Sequence, residues 1–206
     1  MADLSTAELP FVRPFAGLRA VPEKAAEVAA PPYDVLTVDE ARQRAKAGRW
    51  SFVHVSRPEV DLEPGADPYG PNAYGKAAEN LTAMLDAGVL RRDAQPSYYL
   101  YRLSMDGHTQ TGVVGAASLP AYKEGRIRRH ELTRPDKEDD RVKHMEALGA
   151  QTGPVMLTHR RSKTMADIVG RLIETAPDIA ITADDGVAHS LWAVAGDDAI
   201  PALNAA

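Results

Sequence analysis

The chain has 206 residues, 44% hydrophobic and 26% charged, with a formal net charge of −5, an ordinary globular balance that supports a real core. The negative balance argues against a protein whose main task is neutralising nucleic-acid phosphates, so nucleic acid is not expected as a partner. Absence of cysteine excludes disulfides and thiolate chemistry and fits a reducing cytoplasm, and no apolar run approaches the roughly 20 residues of a membrane span, so a cytoplasmic protein without membrane contact is expected; the start, MADLSTAELPF, lacks the plan of a signal peptide.

From the N-terminus, FVRPFAGLRAV (Phe11 to Val21) mixes β-branched and aromatic residues and reads as a strand ending near Pro22. PEKAAEVAA is a short helix at best, halted by Pro31 and Pro32, and AAPPYDVLT is a stiff extended loop that delivers Tyr33 and Asp34 to a defined place. Asp39 to Gly48 has acids first, bases last and a terminal glycine, as a helix prefers. SFVHVS reads as a strand, and RPEVDLEPGADPYGPN as a loop. From Ala73 to Ala87 the positions Ala77, Leu81, Met84 and Leu85 recur at helical spacing, with Gly88 as the stop.

SYYLYRLSM and QTGVVGAASL form a hairpin turning at Asp106-Gly107. A long polar connector, AYKEGRIRRHELTRPDKEDD, leads into a helix over about Asp136 to Ala150 with Val142, Met145 and Leu148 inward. GPVMLTH reads as a buried strand, KTMADIVGRLIETA as an amphipathic helix and DIAITADDGVAHSLWAV as a second hairpin turning at Asp185-Gly186; DDAIPALNAA starts a last helix. Recurring hairpins among alternating strands and helices predict an α+β fold with a mixed, largely antiparallel sheet and flanking helices, in a single domain over 1–206.

GPNAYGKA (Gly70 to Ala77) has the spacing of a phosphate loop until Ala77 replaces the Ser or Thr that would hold Mg²⁺, and no buried strand precedes it, so it reads as a loop and helix start. His130 begins HEL, but Arg134 stands where the second histidine of a zinc motif belongs. No metal ligands are assigned; Mg²⁺ held by acids stays open.

The densest charge lies in RRHELTRPDKEDDR (Arg128 to Arg141). One reading is a solvated helix entrance: Thr133 followed by Asp136 resembles a capping box, the acids from Asp136 to Asp140 suit a helix N-terminus, and Lys137, Arg141 and His144 form one row. The other is a phosphate site, because Arg126, Arg128, Arg129, His130 and Arg134 gather before a helix N-terminus beside a hydroxyl, and guanidinium groups grip oxygens at two points. Adjacent acids then serve as base or Mg²⁺ ligand. PPYDV faces the same choice between a rigid turn and a site, with Tyr33 stacking or hydrogen-bonding and Asp34 accepting a proton or binding metal.

In order, RPFAGLRAV, APPYDVLT, FVHVSRPE, YGKAAENLTAMLDAGVLRRD, YYLYRL, RRHELTRPDKEDDRVKHMEAL, GPVMLTH and HSLWAV resemble the N-terminal half of the family catalogued as domain of unknown function 1015, from about Val12 to Val194. The resemblance implies a distant ParB and sulfiredoxin-like fold and a nucleotide-dependent kinase of a small hydroxyl metabolite such as free serine, with site residues Asp34, His130, Glu131, Thr133, Lys137, Asp140 and Arg141. The family continues into a D-G-H-H-R segment past the LW strand, which this sequence lacks; association with a missing C-terminal half, or homo-oligomerisation, is therefore an expectation. The combined reading is a phosphotransferase, or a fragment of one, that uses ATP or ADP with Mg²⁺. Its catalytic residues are Glu131, Asp140, Asp34 and His130, and its substrate and phosphate ligands are Arg128, Arg129, Thr133, Lys137, Arg141 and Tyr33. The alternative is a non-catalytic nucleotide- or anion-binding or assembly module built on the same patch.

Overall fold

The computed structural model describes residues 11–129, 132–196 and 198–205. Along the chain, β1 (Val12–Arg13), β2 (Leu18–Ala20), α1 (Ala25–Val28), α2 (Val38–Ala47), α3 (Val53–Ser56) and α4 (Pro71–Asp86) lead to β3 (Leu90–Arg92), β4 (Tyr98–Met105), β5 (His108–Val114) and β6 (Ala116–Ala117). Then come α5 (Leu119–Lys123), α6 (Pro135–Leu148), α7 (Lys163–Leu172), β7 (Ile179–Thr182), β8 (Ala188–Val194) and α8 (Ala199–Ala205). The fold is α+β, and the main sheet is antiparallel at each of its pairings. The chain forms two compact units, one from Met1–Leu18, Arg92–Glu131 and Arg160–Ala206, the other from Arg19–Arg91 and Leu132–His159.

The first unit is built on a four-stranded sheet in the order β5-β4-β8-β7. Asp106 and Gly107 turn β4 into β5 with φ of 51° and 77°, the left-handed pair that a two-residue hairpin turn requires. Alternation along β4 and β8 puts Tyr98, Leu100, Trp192 and Val194 on one face, where Ile168 of α7 and Leu203 of α8 cover them. Trp192 is buried to 5% exposure, and its indole N–H finds an acceptor in the Thr175 carbonyl at 2.9 Å. Next to the sheet, β1 pairs with β6. A Cβ on Gly115 would stand 2.4 Å from Val12 Cγ1 and 2.9 Å from Tyr98, so only glycine lets these segments approach.

The second unit is mainly helical. Pro71 occupies the first turn of α4, Ala73, Ala77, Leu81 and Met84 form its buried stripe, and Gly88 leaves it at φ +67°. Helix α2 opens on a full capping box, Thr37 with Glu40, which holds the Glu40 carboxyl below its usual range through the Thr37 hydrogen bonds. β2 and β3 form a two-stranded ribbon.

Several expectations need correction. Phe11 to Val21 is not one strand: Pro14 and Gly17 divide it into β1 and β2, with Phe15 bridging to Ser97. SFVHVS is a helical turn, not a strand; Val53 and Val55 are fully buried within a compact turn that hydrogen-bonds Arg57 N back to Val53 O. GPVMLTH has no strand partner among the described residues and leaves Val155 and Met156 exposed at 71% and 68%, because an apolar run becomes a strand only where a ladder receives it. The end of QTGVVGAASL and the first residues of the polar connector form a short helix, α5, capped by Ser118, whose hydroxyl accepts from Ala121 N at 3.2 Å. On α6 the inward residues are not led by Val142, which is 43% exposed, but by Asp140 and His144, at 6% and 1%.

Candidate functional site

Helix α6 begins with Pro135 in its first turn, which makes Arg134 the N-cap residue, with no side-chain cap. Thr133 is therefore one position too early for a capping box, and its hydroxyl donates instead to Glu138 at 2.9 Å. Arg134 pairs with exposed Asp136 at 2.7 Å and, by that hydrogen bond, holds its carboxyl below the usual carboxylate range.

A helical period brings Lys137, Asp140, Arg141 and His144 to neighbouring positions. His144 ends this row in the interior, so the row is not a solvated face; its Nε2–H donates to the Val55 carbonyl at 2.9 Å. Burial pushes the imidazole pKa down despite that hydrogen bond, favouring the neutral ring. Asp140 accepts the Tyr74 hydroxyl on Oδ1 at 2.8 Å and Arg141 Nε and Nη2 on Oδ2 at 3.0 and 2.6 Å. Burial, and then the Asp140 carboxylate as acceptor, push the Tyr74 phenol up to about 12. The acid is thus satisfied on both oxygens, the condition for keeping a carboxylate so far from water.

The Arg141 guanidinium lies over the Tyr33 ring, 4.0 Å from its centroid. Tyr33 is held from behind: Arg57 Nη1 donates to the carbonyls of Tyr33 and Leu36 at 2.9 and 2.7 Å, while its Nε is anchored by buried Glu59 at 2.6 Å. One turn before Arg141, Lys137 Nζ donates to the Tyr69 hydroxyl at 3.2 Å and lies 5.3 Å from that ring, and this bond raises the lysine pKa. PPYDV and the DKEDDR end of the charged stretch, far apart in sequence, meet in the second unit.

Asp34 is exposed and makes no side-chain hydrogen bond among the described residues. Arg128 and Arg129 belong to the first unit, where Arg129 Nε donates to the Tyr122 hydroxyl with its guanidinium 5.2 Å from that ring. His130 and Glu131 lie outside the described residues. Sequence reasoning missed Tyr74, Tyr69 and Arg57, and set His144 on a solvated row where the structure buries it. Tyr74 was within GPNAYGKA, one helical step from Ala77 on the buried stripe of α4, and that period was the available signal. Arg57 had none, because its two carbonyl acceptors are 24 and 21 residues away in sequence. In the same segment, Pro71 and Lys76 lie inside α4 rather than in a phosphate-cradling loop.

Among the described residues no three His, Asp or Glu side chains converge as metal ligands. Asp140 is already engaged by Tyr74 and Arg141 and Asp34 stands alone, so these acids do not fit a protein-held Mg²⁺.

Fold and site define an α+β protein whose helical unit sets two cations on tyrosine rings beside a buried carboxylate. Residues 12–206 match the model of the family described as "Protein of unknown function (DUF1015)", and the chain belongs to that family. No curated protein and no solved structure matches it. Among the described residues no helix is long and apolar enough to cross a membrane.

Proposed function

We propose that the α6 face of the second unit binds the phosphates of ATP or ADP, and that the chain is a nucleotide-dependent phosphotransferase acting on a small hydroxyl metabolite such as free serine. The observation that carries the binding step is the pair Lys137 and Arg141, one turn apart, each already placed against a tyrosine ring. Asp140 takes Arg141 Nε and Nη2, and Nη1 has no acceptor among the described residues. A guanidinium held flat in this way gives up little side-chain freedom when it meets an anion. Tyr33 adds a ring on which a base stacks. The transfer step is supported by chemistry alone: phosphoryl transfer depends mostly on positioning and charge neutralisation, which clustered cations supply.

A second reading, a non-catalytic nucleotide- or anion-binding or assembly module, is favoured by the engagement of both Asp140 oxygens, which suits fixing an arginine better than taking a proton. Calorimetric titration with ATP and ADP, with and without Mg²⁺, tests the binding step. We expect the wild-type chain to bind and Arg141→Lys, which keeps the charge but loses the planar guanidinium that Asp140 and Tyr33 fix, to bind about tenfold more weakly, or ~1.4 kcal/mol. A wild-type chain that binds neither nucleotide sinks both readings as nucleotide sites. Phosphorus NMR with ATP and serine then separates them, since binding without phosphoserine formation selects the module.

A further inference from the structure

Away from the tyrosine–cation pairs, the second unit has an open cleft of about 590 Å³, within the size range of small-molecule sites. Lys46 at the end of α2, Arg49 and Trp50 just after it, Lys76, Asn80 and Met84 from α4, and the hydrogen-bonded pair His54 and Asp61 line it. None of these belongs to the Tyr33–Arg141 cluster.

Its charge is lopsided: three cations, Lys46, Arg49 and Lys76, face a single lining carboxylate, Asp61, which His54 and Asn80 hold. Lys76 has an acidic neighbour, Glu79 at 3.1 Å, but Lys46 and Arg49 have no acid within ion-pair distance among the described residues. The Arg49 guanidinium stacks on Trp50, 4.6 Å from the ring. Stacking uses the face of the guanidinium and leaves its in-plane N–H edge, the edge that holds a carboxylate at two points. Asn80 supplies the opposite polarity. Its Nδ2 donates to the His54 carbonyl and to Asp61 Oδ2, both at 2.7 Å; two acceptors on one end fix the orientation of the amide and use both its hydrogens. Asp61 is braced in turn by His54 Nδ1 at 2.9 Å. Asn80 Oδ1 is left as a rigid acceptor with no donor among the described residues, and Met84, 2% exposed, gives the cleft an apolar floor.

We infer that this cleft binds a small organic carboxylate whose apolar body carries a hydrogen-bond donor. The carboxylate meets Arg49 with Lys46 and Lys76 alongside, the body rests on the floor at Met84, and the donor meets Asn80 Oδ1. The assignment is independent of the phosphate reading, since the two sites share no residue.

Three probes that differ by one group each test it, followed through the indole N–H resonance of Trp50 by NMR: 4-hydroxyphenylacetate, phenylacetate, which lacks the donor, and 4-hydroxyphenylacetamide, which lacks the charge. The expected result is a saturable shift of Trp50, but not of Trp192, with the hydroxylated acid. Affinity should fall about tenfold with either altered probe, and by a similar factor for the hydroxylated acid on Arg49→Gln. No saturable shift, equal affinity for the charged and neutral probes, or undiminished affinity in Arg49→Gln overturns the site; equal affinity for the two acids overturns the role of Asn80.

Discussion

The two units bury different chemistry. In the first, the sheet and its helices enclose Tyr98, Leu100, Ile168, Trp192, Val194 and Leu203, and the polar tips of the aromatic residues reach acceptors: the Tyr98 hydroxyl bonds to Val12 O at 2.7 Å and the Trp192 indole to Thr175 O. In the second, Val53, Val55, Ala77 and Leu81 share the interior with Glu59, Asp140 and His144. Apolar burial stabilises by area and loses its contribution gradually as atoms are removed. A buried acid is stable only while each of its partners stays in place, so the polar interior of the helical unit fails as a set.

The sharpest way to break that contrast is Asp140→Ala. It strips Tyr74 of its acceptor and Arg141 of its counter-charge, and the expected loss is about 3–5 kcal/mol in chemical denaturation. Leu100→Ala, at a fully buried sheet position, should cost about 2–5 kcal/mol. The two should differ in place: hydrogen exchange should quicken in α4 and α6 for the first variant and in β4 and β8 for the second. Uniform loss of protection in both would dissolve the contrast.

Tyr74→Phe removes only the hydrogen bond to Asp140 and should cost about 1–3 kcal/mol. Because the phenol is raised from 10.0 to about 12, its contribution is complete below pH 10 and disappears as pH climbs through about 12. Denaturation midpoints of the wild type should fall across that window more steeply than those of the variant. A third measurement runs the other way in pH. His144 has its pKa depressed from 6.5 by burial, so its contribution is complete above pH 6.5 and is lost as pH falls below it. Urea midpoints of His144→Gln should fall less between pH 7 and pH 5 than those of the wild type. The smallest expected effect is Thr37→Ala, about 1 kcal/mol from the lost capping box, seen as faster exchange at the start of α2 alone.

The hairpins were legible because Asp-Gly pairs and alternating residues act locally, and β4 with β5 and β7 with β8 follow them. Helices α2, α4 and α7 were legible from period and end signals. SFVHVS and GPVMLTH were not, since a short apolar run carries no sign of whether a neighbouring strand will receive it. In the site, Tyr33 was legible from the stiffness of PPYDV, and Lys137, Asp140 and Arg141 from the family resemblance; the structure brings Tyr33 and Arg141 into contact. What escaped is the apparatus around them, Tyr74, Arg57 and the burial of His144, because these act through partners 66, 24 and 89 residues distant, and a window along the chain sees none of these.

Arg57 grips the loop by the carbonyls of Tyr33 and Leu36 and never touches the tyrosine ring by hydrogen bond. The path of the loop is therefore set by its backbone and its prolines, while the side chain at position 33 is an interchangeable head on a fixed stem. Selection, or an engineer, can change the ring that meets Arg141, from tyrosine to tryptophan, phenylalanine or histidine, without rebuilding the mount beneath it. In this loop, what holds the path and what meets Arg141 are therefore different groups.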